Sequence, residues 1–333
     1  MRRARAAALL ERTGLGRLLR RLPLWHGVVV LGYHRIGDPA GSELDHGVFS
    51  ATEDAFDAQL ELLSTNFDVI GLDELEAAAG RRGRAVLITF DDGYRDQLDP
   101  AARMLAARRM PAAFFLTTGF LDGHGHAWWD EIAWIVRASP RTGIPSDGRW
   151  LARPVSFTPG DRESAVRALL DRYRELPGED GEAFLDHVAQ AAGLARPDPS
   201  TARWMTWDGA RELERLGHRV GGHTVTHPIL SRLAGDGQRR EIGDCLRRLR
   251  HELAGPVDSF AYPSGHLGSH DDETAALLRE HGVRWAFSFR GGWQRPGRVA
   301  AYDVRRIGVF ADHPTPLVAA TVSLPFLLGR ERR

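Results

Sequence analysis

The chain of 333 residues predicts an α/β protein, a distorted (β/α) barrel of seven or eight parallel strands with an insertion on the barrel rim. The first observation is that its strand-like runs, such as residues 85–90, are apolar without polar alternation, as in strands buried on both faces. The second is that these runs alternate with helical patterns at regular spacing, which indicates a parallel sheet. The third is their number, which is enough to close or nearly close a barrel.

The first part of the chain supplies four predicted strands and three helices. The strands are predicted at residues 27–34, 67–70, 85–90 and 112–116. Residues 50–53 have the form of a capping box and precede a helix with Phe56, Leu60 and Leu63 on one face. A second helix is predicted at 72–79, and a third opens at Asp99-Pro100, which supply a cap and a first-turn proline.

The regular spacing breaks between about residues 121 and 205, which we interpret as the rim insertion. It contains two polar helices, a proline-containing linker at 196–200, and the side chains His124, His126, Trp128, Trp129, Asp130 and Trp134. Its tryptophans could stack on sugar rings, whose apolar faces suit aromatic side chains. Because tryptophan is so often buried, we favour the interpretation that they pack the insertion onto the barrel.

After the insertion the alternation resumes. Strands are predicted at residues 219–222, 257–262, 285–289 and 304–309, and helices at 207–216, 238–253 and 269–281. Residues 26–333 are therefore expected to form one barrel domain, which follows a basic N-terminal helix at 1–25.

Composition excludes several classes of protein. Lys+Arg and Asp+Glu are equal at 44 each, so no overall field favours nucleic acid, and the chain contains no lysine. A chain without lysine forms no Schiff base and supplies no P-loop lysine, which excludes pyridoxal phosphate enzymes and standard P-loop ATPases. The single cysteine, Cys245, excludes an intramolecular disulfide and a cysteine-rich zinc site.

The two ends of the chain bear on its location. The first 25 residues hold seven arginines but no adequate signal-peptide core, because Glu11-Arg12 ends the apolar run. The apolar run at 317–328 contains Pro325 and is shorter than the roughly 20 residues that span a bilayer. We expect a cytoplasmic protein and add the hypothesis of peripheral contact with the inner membrane surface. A solvated helix that caps the barrel is the alternative.

Two neighbouring carboxylates, Asp91 and Asp92, follow the buried run 85–90, and Gly93 lets the chain turn away. In α/β barrels this end of a strand carries the chemistry. Adjacent carboxylates repel unless a positive charge, usually a metal, lies between them. His223 and His227, four residues apart on a tight turn or helix start, complete a two-histidine, one-carboxylate set that suits a catalytic zinc or similar metal.

Three motifs resemble those of the polysaccharide deacetylases, also called the NodB-homology family or carbohydrate esterase family 4. Residues 89–93, Thr-Phe-Asp-Asp-Gly, and the His-Thr-x-x-His of 223–227 are similar to the first two motifs, and residues 260–265, Phe-Ala-Tyr-Pro-Ser-Gly, resemble the third. Residues 33–35 and 305–307 are also typical of relatives of this subtype. The resemblance covers roughly residues 27–309 apart from the insertion, and implies a distorted (β/α) barrel, usually with seven strands.

Carried across residue by residue, the resemblance implies that Asp92, His223 and His227 bind a divalent metal. Zinc is the first candidate, and cobalt and nickel are the alternatives. It implies hydrolysis of N-acetyl, or O-acetyl, groups on the sugars of a polysaccharide or glycan precursor. A water held by the metal would attack the acetyl carbonyl while Asp91 accepts its proton. The backbone N–H of Ser264, where the family more often has tyrosine, would bind the oxyanion.

Two departures from the family pattern leave roles open. Many members begin the third motif with an arginine that pairs with the base, and this chain has Ser259 near that place. Arg306 could supply the charge from the last strand, or could be an exposed rim arginine. The late Leu-x-His that protonates the leaving amine in many members is missing in that form. His34 and His313 are the candidates for this role, against the plain alternatives of a core and a solvated histidine.

Two other functions stay open. A related amidohydrolase acting on a small non-sugar amide would share the site, and a closed pocket instead of a shallow groove would favour it. A non-catalytic carbohydrate-binding barrel would share the fold, but binding alone does not need a base such as Asp91.

Overall fold

The computed structural model describes residues 2–124, 127–197, 203–297 and 299–329, and the backbone only for residues 2 and 3. Its strands, numbered in chain order, are β1 Gly27–Tyr33, β2 Arg35–Ile36, β3 Phe49–Ala51, β4 Asp68–Val69, β5 Arg84–Asp92, β6 Ala112–Leu116, β7 Gly143–Ile144, β8 Val155–Ser156, β9 Arg219–Gly222, β10 Ser259–Ala261, β11 Trp285–Ser288 and β12 Val304–Gly308. His126 and residues 198–200 of the expected linker lie outside the described residues.

Seven parallel strands close into a barrel in the order β1-β12-β11-β10-β9-β6-β5, because β1 pairs with both β12 and β5. This confirms the predicted (β/α) barrel and fixes its strand number, expected as seven or eight, at seven. The predicted strand at 67–70 is present as the two-residue β4, which pairs with β5 outside the closed barrel. Strands β2 and β3 form a separate parallel pair, and β7 and β8 an antiparallel pair in the insertion.

The helices are α1 Arg2–Arg12, α2 Leu15–Arg21, α3 Glu53–Asn66, α4 Leu75–Gly80, α5 Arg103–Ala107, α6 Thr118–Leu121, α7 Trp128–Ala138, α8 Arg162–Glu175, α9 Gly181–Ala191, α10 Trp207–Arg215, α11 Gly235–Glu252, α12 Asp272–Glu280, α13 Thr315–Ser323 and α14 Pro325–Leu328. No described helix is both long and apolar enough to cross a bilayer.

Two helix starts differ from the sequence prediction. Thr52, not Ser50, caps α3, and its side chain accepts the Ala55 N–H. The Ser50 hydroxyl is 2.9 Å from the backbone N–H of His34 and accepts it instead. The segment after Asp99-Pro100 is irregular: Asp99 has non-helical dihedrals within Gln97–Ala102, as is common before proline, and regular helix begins only with α5.

The barrel interior is filled by alternate residues of its strands. One buried cluster contains Val28 and Val30 of β1 and Ala85 and Leu87 of β5, two residues apart on each strand, together with Val304 of β12. Since side chains alternate between the two faces of a strand, the next positions on β5 and β12 in the same row are Thr89, Asp91 and Arg306. The barrel interior is therefore apolar toward the amino ends of the strands and polar at their carboxyl ends.

Candidate active site

The strand register brings the predicted site residues to one end of the barrel. In β1 and β5 Tyr33 aligns with Phe90, so His34 and Asp91 follow at the same level. In β6 and β9 Leu116 aligns with Gly222, and Leu116 also aligns with Asp92, so His223 emerges beside Asp92. All these strands are parallel, which is why segments far apart in sequence meet here.

Asp92, His223 and His227 lie close enough to share one metal ion. The Asp92 Oδ1 atom is 3.4 Å from the Nε2 atom of His223 and 3.4 Å from that of His227, and the three candidate ligand atoms lie within 4.8 Å of one another. Asp92 has φ +82°, an uncommon conformation for a residue with a Cβ, and leaves the strand at this point.

The three side chains fit a divalent cation. Each is buried, and the Asp92 Oδ1 atom accepts no hydrogen bond from the described residues. A buried carboxylate oxygen without a partner is costly unless a positive charge compensates it. Two imidazoles and one carboxylate are ligand types that zinc accepts, so the cluster is a candidate metal site.

The charge states of Asp92 and His227 suit a metal, whereas His223 would have to release a proton to bind one. Burial opposes ionisation of Asp92, but the neighbouring imidazoles, above all that of His223, lower its pKa to about 2. Burial lowers the pKa of His227 to about 3. Burial also opposes protonation of His223, yet the charges of Asp91 and Asp92 raise its pKa above the usual value. Ionised carboxylate and neutral imidazole are the forms that bind metal.

The loop that carries the two histidines is a tight turn fixed by its own side chains and by strand ends. The Nδ1 atom of His223 is 2.7 Å from the Ala261 carbonyl oxygen, which leaves its Nε2 atom to face Asp92. Thr224 and His227 have φ +68° and +61°. The Thr224 hydroxyl accepts the His227 N–H at 2.9 Å, and the Thr117 hydroxyl donates to the His223 carbonyl at 3.1 Å.

Glu241 of α11 supports this loop and was not identified from the sequence. Its Oε2 atom accepts the backbone N–H groups of Val225 and Thr226 at 2.8 and 2.9 Å, and its Oε1 atom accepts the Thr226 hydroxyl at 2.7 Å. No motif spacing links Glu241 to the histidines, because the contact depends on how α11 packs against β9.

Asp91 points into the barrel and forms an ion pair with Arg306. The two guanidinium nitrogens of Arg306 are 2.6 and 2.7 Å from the two carboxylate oxygens, and both side chains are fully buried. Burial opposes ionisation of Asp91, but the charges of Arg306 and His223 overcome it and lower its pKa. Arg306 is thus not the exposed rim arginine that the sequence left open, since it lies on the interior row of β12.

The remaining candidates border the same cleft. His34 stacks on Phe289 with ring centroids 5.6 Å apart, and its side chain is partly exposed. Ser264 has φ +61° and lines the cleft. His313 also lines the cleft, and its ring lies edge-on to Phe310. The cleft has a volume of about 1040 Å³, and it extends from these residues to α8 of the insertion and to α13 and α14.

Gln97, which was also missed, holds two strand ends together. Its Nε2 atom donates to the backbone carbonyl of Asp91 and, at 3.0 Å, to that of His34. Gln97 is fully buried. The two candidate catalytic segments at the ends of β1 and β5 are therefore fixed relative to each other.

Trp129 connects the insertion to the candidate metal site. Its ring packs edge-on against His227 with centroids 4.4 Å apart, and its Nε1–H donates to the Tyr94 hydroxyl at 2.7 Å. That hydroxyl donates to Asp130 at 3.0 Å. Trp129 thus packs the insertion onto the barrel, as expected, whereas the buried Trp128 stacks on Tyr173 within the insertion, and both rings border the cleft.

Comparison with known proteins gives one consistent result. A family profile described as polysaccharide deacetylase matches residues 78–144 and 181–286, just over half of the chain. No curated protein matches its sequence.

Solved structures show the same fold. The deacetylase PplD of Streptococcus pyogenes, solved with acetate, matches with TM-score 0.58 and 17% identity over 89% of this chain and 97% of its own. IcaB from Ammonifex degensii matches with TM-score 0.57 and 21% identity over 90% of this chain and 97% of its own. The BpsB deacetylase domain of Bordetella bronchiseptica matches with TM-score 0.53 and 18% identity over 85% of this chain and 96% of its own. At these identities the likeness establishes the fold alone.

Proposed function

This chain belongs to the polysaccharide deacetylase family, and we propose that it is a metal-dependent hydrolase that removes acetyl groups from N-acetylated, or O-acetylated, sugars of a polysaccharide or glycan precursor. One observation carries the proposal. The Asp92, His223 and His227 cluster lies directly beside the buried Asp91–Arg306 pair, with the His223 Nε2 atom 3.9 Å from an Asp91 oxygen.

Asp92, His223 and His227 would hold the metal, and zinc is the ion that their chemistry suits best, with cobalt and nickel as alternatives. When bound, such an ion polarises the acetyl carbonyl and lowers the pKa of water. The Ala261 carbonyl holds the ring of His223, and Glu241 and Thr224 hold the turn, so the ligand set is oriented before substrate binds.

Asp91 would be the general base. The low pKa that Arg306 imposes keeps its carboxylate ionised throughout the neutral range, ready to accept the proton of the attacking water. Arg306 binds both carboxylate oxygens from one side, so it orients the carboxylate and also keeps it ionised. Arg306 would therefore act through Asp91, as a positioning residue.

The two remaining roles fall to residues at the cleft wall. The backbone N–H of Ser264 would donate to the oxyanion of the tetrahedral intermediate, because the left-handed turn at Ser264 lies at the cleft. His34, held by its backbone between Ser50 and Gln97, would protonate the leaving amine. His313 is the second candidate for that proton, and it borders the same cleft.

The test is acetate release from a panel of N-acetylated and O-acetylated glycans of different lengths. The enzyme is first stripped with a chelator and then assayed alone and with zinc, cobalt or nickel. We expect release that depends on added metal and is absent in His227→Ala. Release only from small non-sugar amides would support the alternative amidohydrolase, and binding of glycans without release would support a non-catalytic barrel.

A further inference from the structure

Helices α1 and α2 expose leucines to solvent. Leu9, Leu15, Leu18 and Leu22 are between 40 and 61 % exposed, and Leu24 just after α2 is 41 % exposed. Within α2, Leu15 and Leu18 have the three-residue spacing that puts side chains on one helix face, and Leu22 follows directly after the helix. A helix that only capped the barrel would turn such a face toward the core. Instead, α2 presents an apolar ridge to solvent.

The inner side of the two helices explains why the leucines face outward. Small residues, Ala7 of α1 and Gly16 of α2, are buried, and both helices pack against α13. The buried side of α2 also holds Arg20, which pairs with Glu11 of α1, so the buried residues of α2 include no large apolar side chain. The large apolar side chains are left on the outer face.

The exposed side of the two helices also carries positive charge. Arg5, Arg12, Arg17 and Arg21 are exposed. Glu11 is the sole acidic residue in the first 25, and its carboxylate is held by buried Arg20 through contacts of 2.5 and 2.8 Å. The exposed arginines are thus not offset by acidic residues of their own segment.

We propose that the exposed leucines and arginines of α1 and α2, here called the α1–α2 face, dock on an anionic lipid bilayer. Leucines beside arginines on short helices suit the interface, where apolar side chains enter the acyl boundary and guanidinium groups meet lipid phosphates. Charge decides between this partner and a second copy of the chain, because two such faces would place arginines against arginines. The proposal does not depend on the catalytic function.

The test is co-sedimentation of the full chain with vesicles of phosphatidylcholine alone or mixed with phosphatidylglycerol. We expect binding to the anionic vesicles that weakens with salt, and little binding to the neutral ones. The combined change Leu15→Gln, Leu18→Gln and Leu22→Gln should weaken binding by about tenfold or more, because glutamine keeps the helix but removes the apolar side chains. The pair Arg17→Gln and Arg21→Gln should weaken it by about fivefold for each charge, on anionic vesicles only.

Matched controls come from elsewhere on the surface. Leu267→Gln removes a leucine that is 71 % exposed, and Arg240→Gln with Arg247→Gln removes two exposed arginines of α11. These variants should bind as the parent does. The proposal is overturned if the parent ignores anionic vesicles, if neutral vesicles bind it equally, or if the controls lose as much binding. It is also overturned if the leucines instead mediate a dimer without vesicle binding. The lipid and salt comparisons use the parent alone, so they decide the matter even if a variant does not fold.

Discussion

Arg306 and Asp91 form a two-pronged, fully buried ion pair between strands β12 and β5, which share no pairing because β1 lies between them. The pair sits on the polar end of the row of interior side chains. It joins the carboxylate that we assign as the base to the last strand of the barrel, and so it couples the charge state of that carboxylate to an intact barrel.

Replacing Arg306 with glutamine should raise the pKa of Asp91, because burial would then oppose its ionisation with less compensation. The acid limb of the kcat/KM profile should move to higher pH by about 1–3 pH units. The free energy of unfolding should fall by about 3–5 kcal/mol, since one partner of a buried pair is lost. Because folding lowers the pKa of Asp91, this loss applies above the ordinary value of 3.8 and fades as the pH falls below it.

Arg305→Gln is the matched control for that change. Arg305 is the neighbouring residue, it is exposed, and it pairs with Asp303 at the surface at 3.4 Å. Its replacement should leave the pH profile and the unfolding free energy nearly unchanged. An acid limb that stays in place in Arg306→Gln would show that Arg306 does not control Asp91.

Replacing Glu241 with alanine should weaken metal binding by about tenfold to a hundredfold, because the turn that carries His223 and His227 loses three hydrogen bonds. Glu241→Gln should lose less, since its amide oxygen still accepts the Val225 and Thr226 N–H groups. Competition with a zinc-binding dye measures both affinities, and Asp244→Asn on the same helix is the control. Equal affinities in the parent and Glu241→Ala would contradict this role.

Asp130 should make the stability of the parent fall as the pH rises. Burial raises the pKa of its carboxyl from 3.8 to about 6, although Arg203 and the Asp45 N–H partly offset this effect. The folded state then binds more protons than the unfolded state between those two values, so stability decreases with rising pH through that window. Relative to Asp130→Asn, the parent should lose on the order of 2–3 kcal/mol from about pH 4 to about pH 7.

Urea unfolding of the parent and of Asp130→Asn across this range measures the difference. Asp208→Asn, whose side chain is 91 % exposed, is the control and should show no such trend. A constant difference between the parent and Asp130→Asn at all pH values would mean that folding does not raise the pKa of Asp130.

The barrel and its candidate metal site could be predicted because both depend on local signals. Buried parallel strands are continuous apolar runs, and β6 has the predicted bounds of 112–116. Site residues at strand ends must meet, since parallel strands all end at one edge. The expected insertion also contains a buried cluster of its own, built largely from α7, α8 and α9.

What could not be predicted depends on packing between distant segments. Arg306 was a candidate partner of the base, but the sequence could not exclude an exposed rim arginine, because the strand register decides whether Arg305 or Arg306 faces the interior. Gln97 and Glu241 contact backbone groups whose positions follow from the packing of α11 and the ends of β1 and β5. The sequence placed the cap of α3 at Ser50 instead of Thr52, because it does not show that the Ser50 hydroxyl accepts the backbone N–H of His34.

The central claim is that Asp92 holds a metal while its neighbour Asp91 accepts a proton. It is tested most directly by measuring metal content and the rate of acetate release on the same preparations of the parent, Asp91→Asn and Asp92→Asn. We predict that Asp91→Asn keeps its metal and loses kcat by about 10²–10⁴-fold, the usual value of a general base, whereas Asp92→Asn loses the metal. Loss of metal in Asp91→Asn with retention in Asp92→Asn would reverse the two roles, and retention of both metal and rate in both variants would contradict the deacetylase assignment itself.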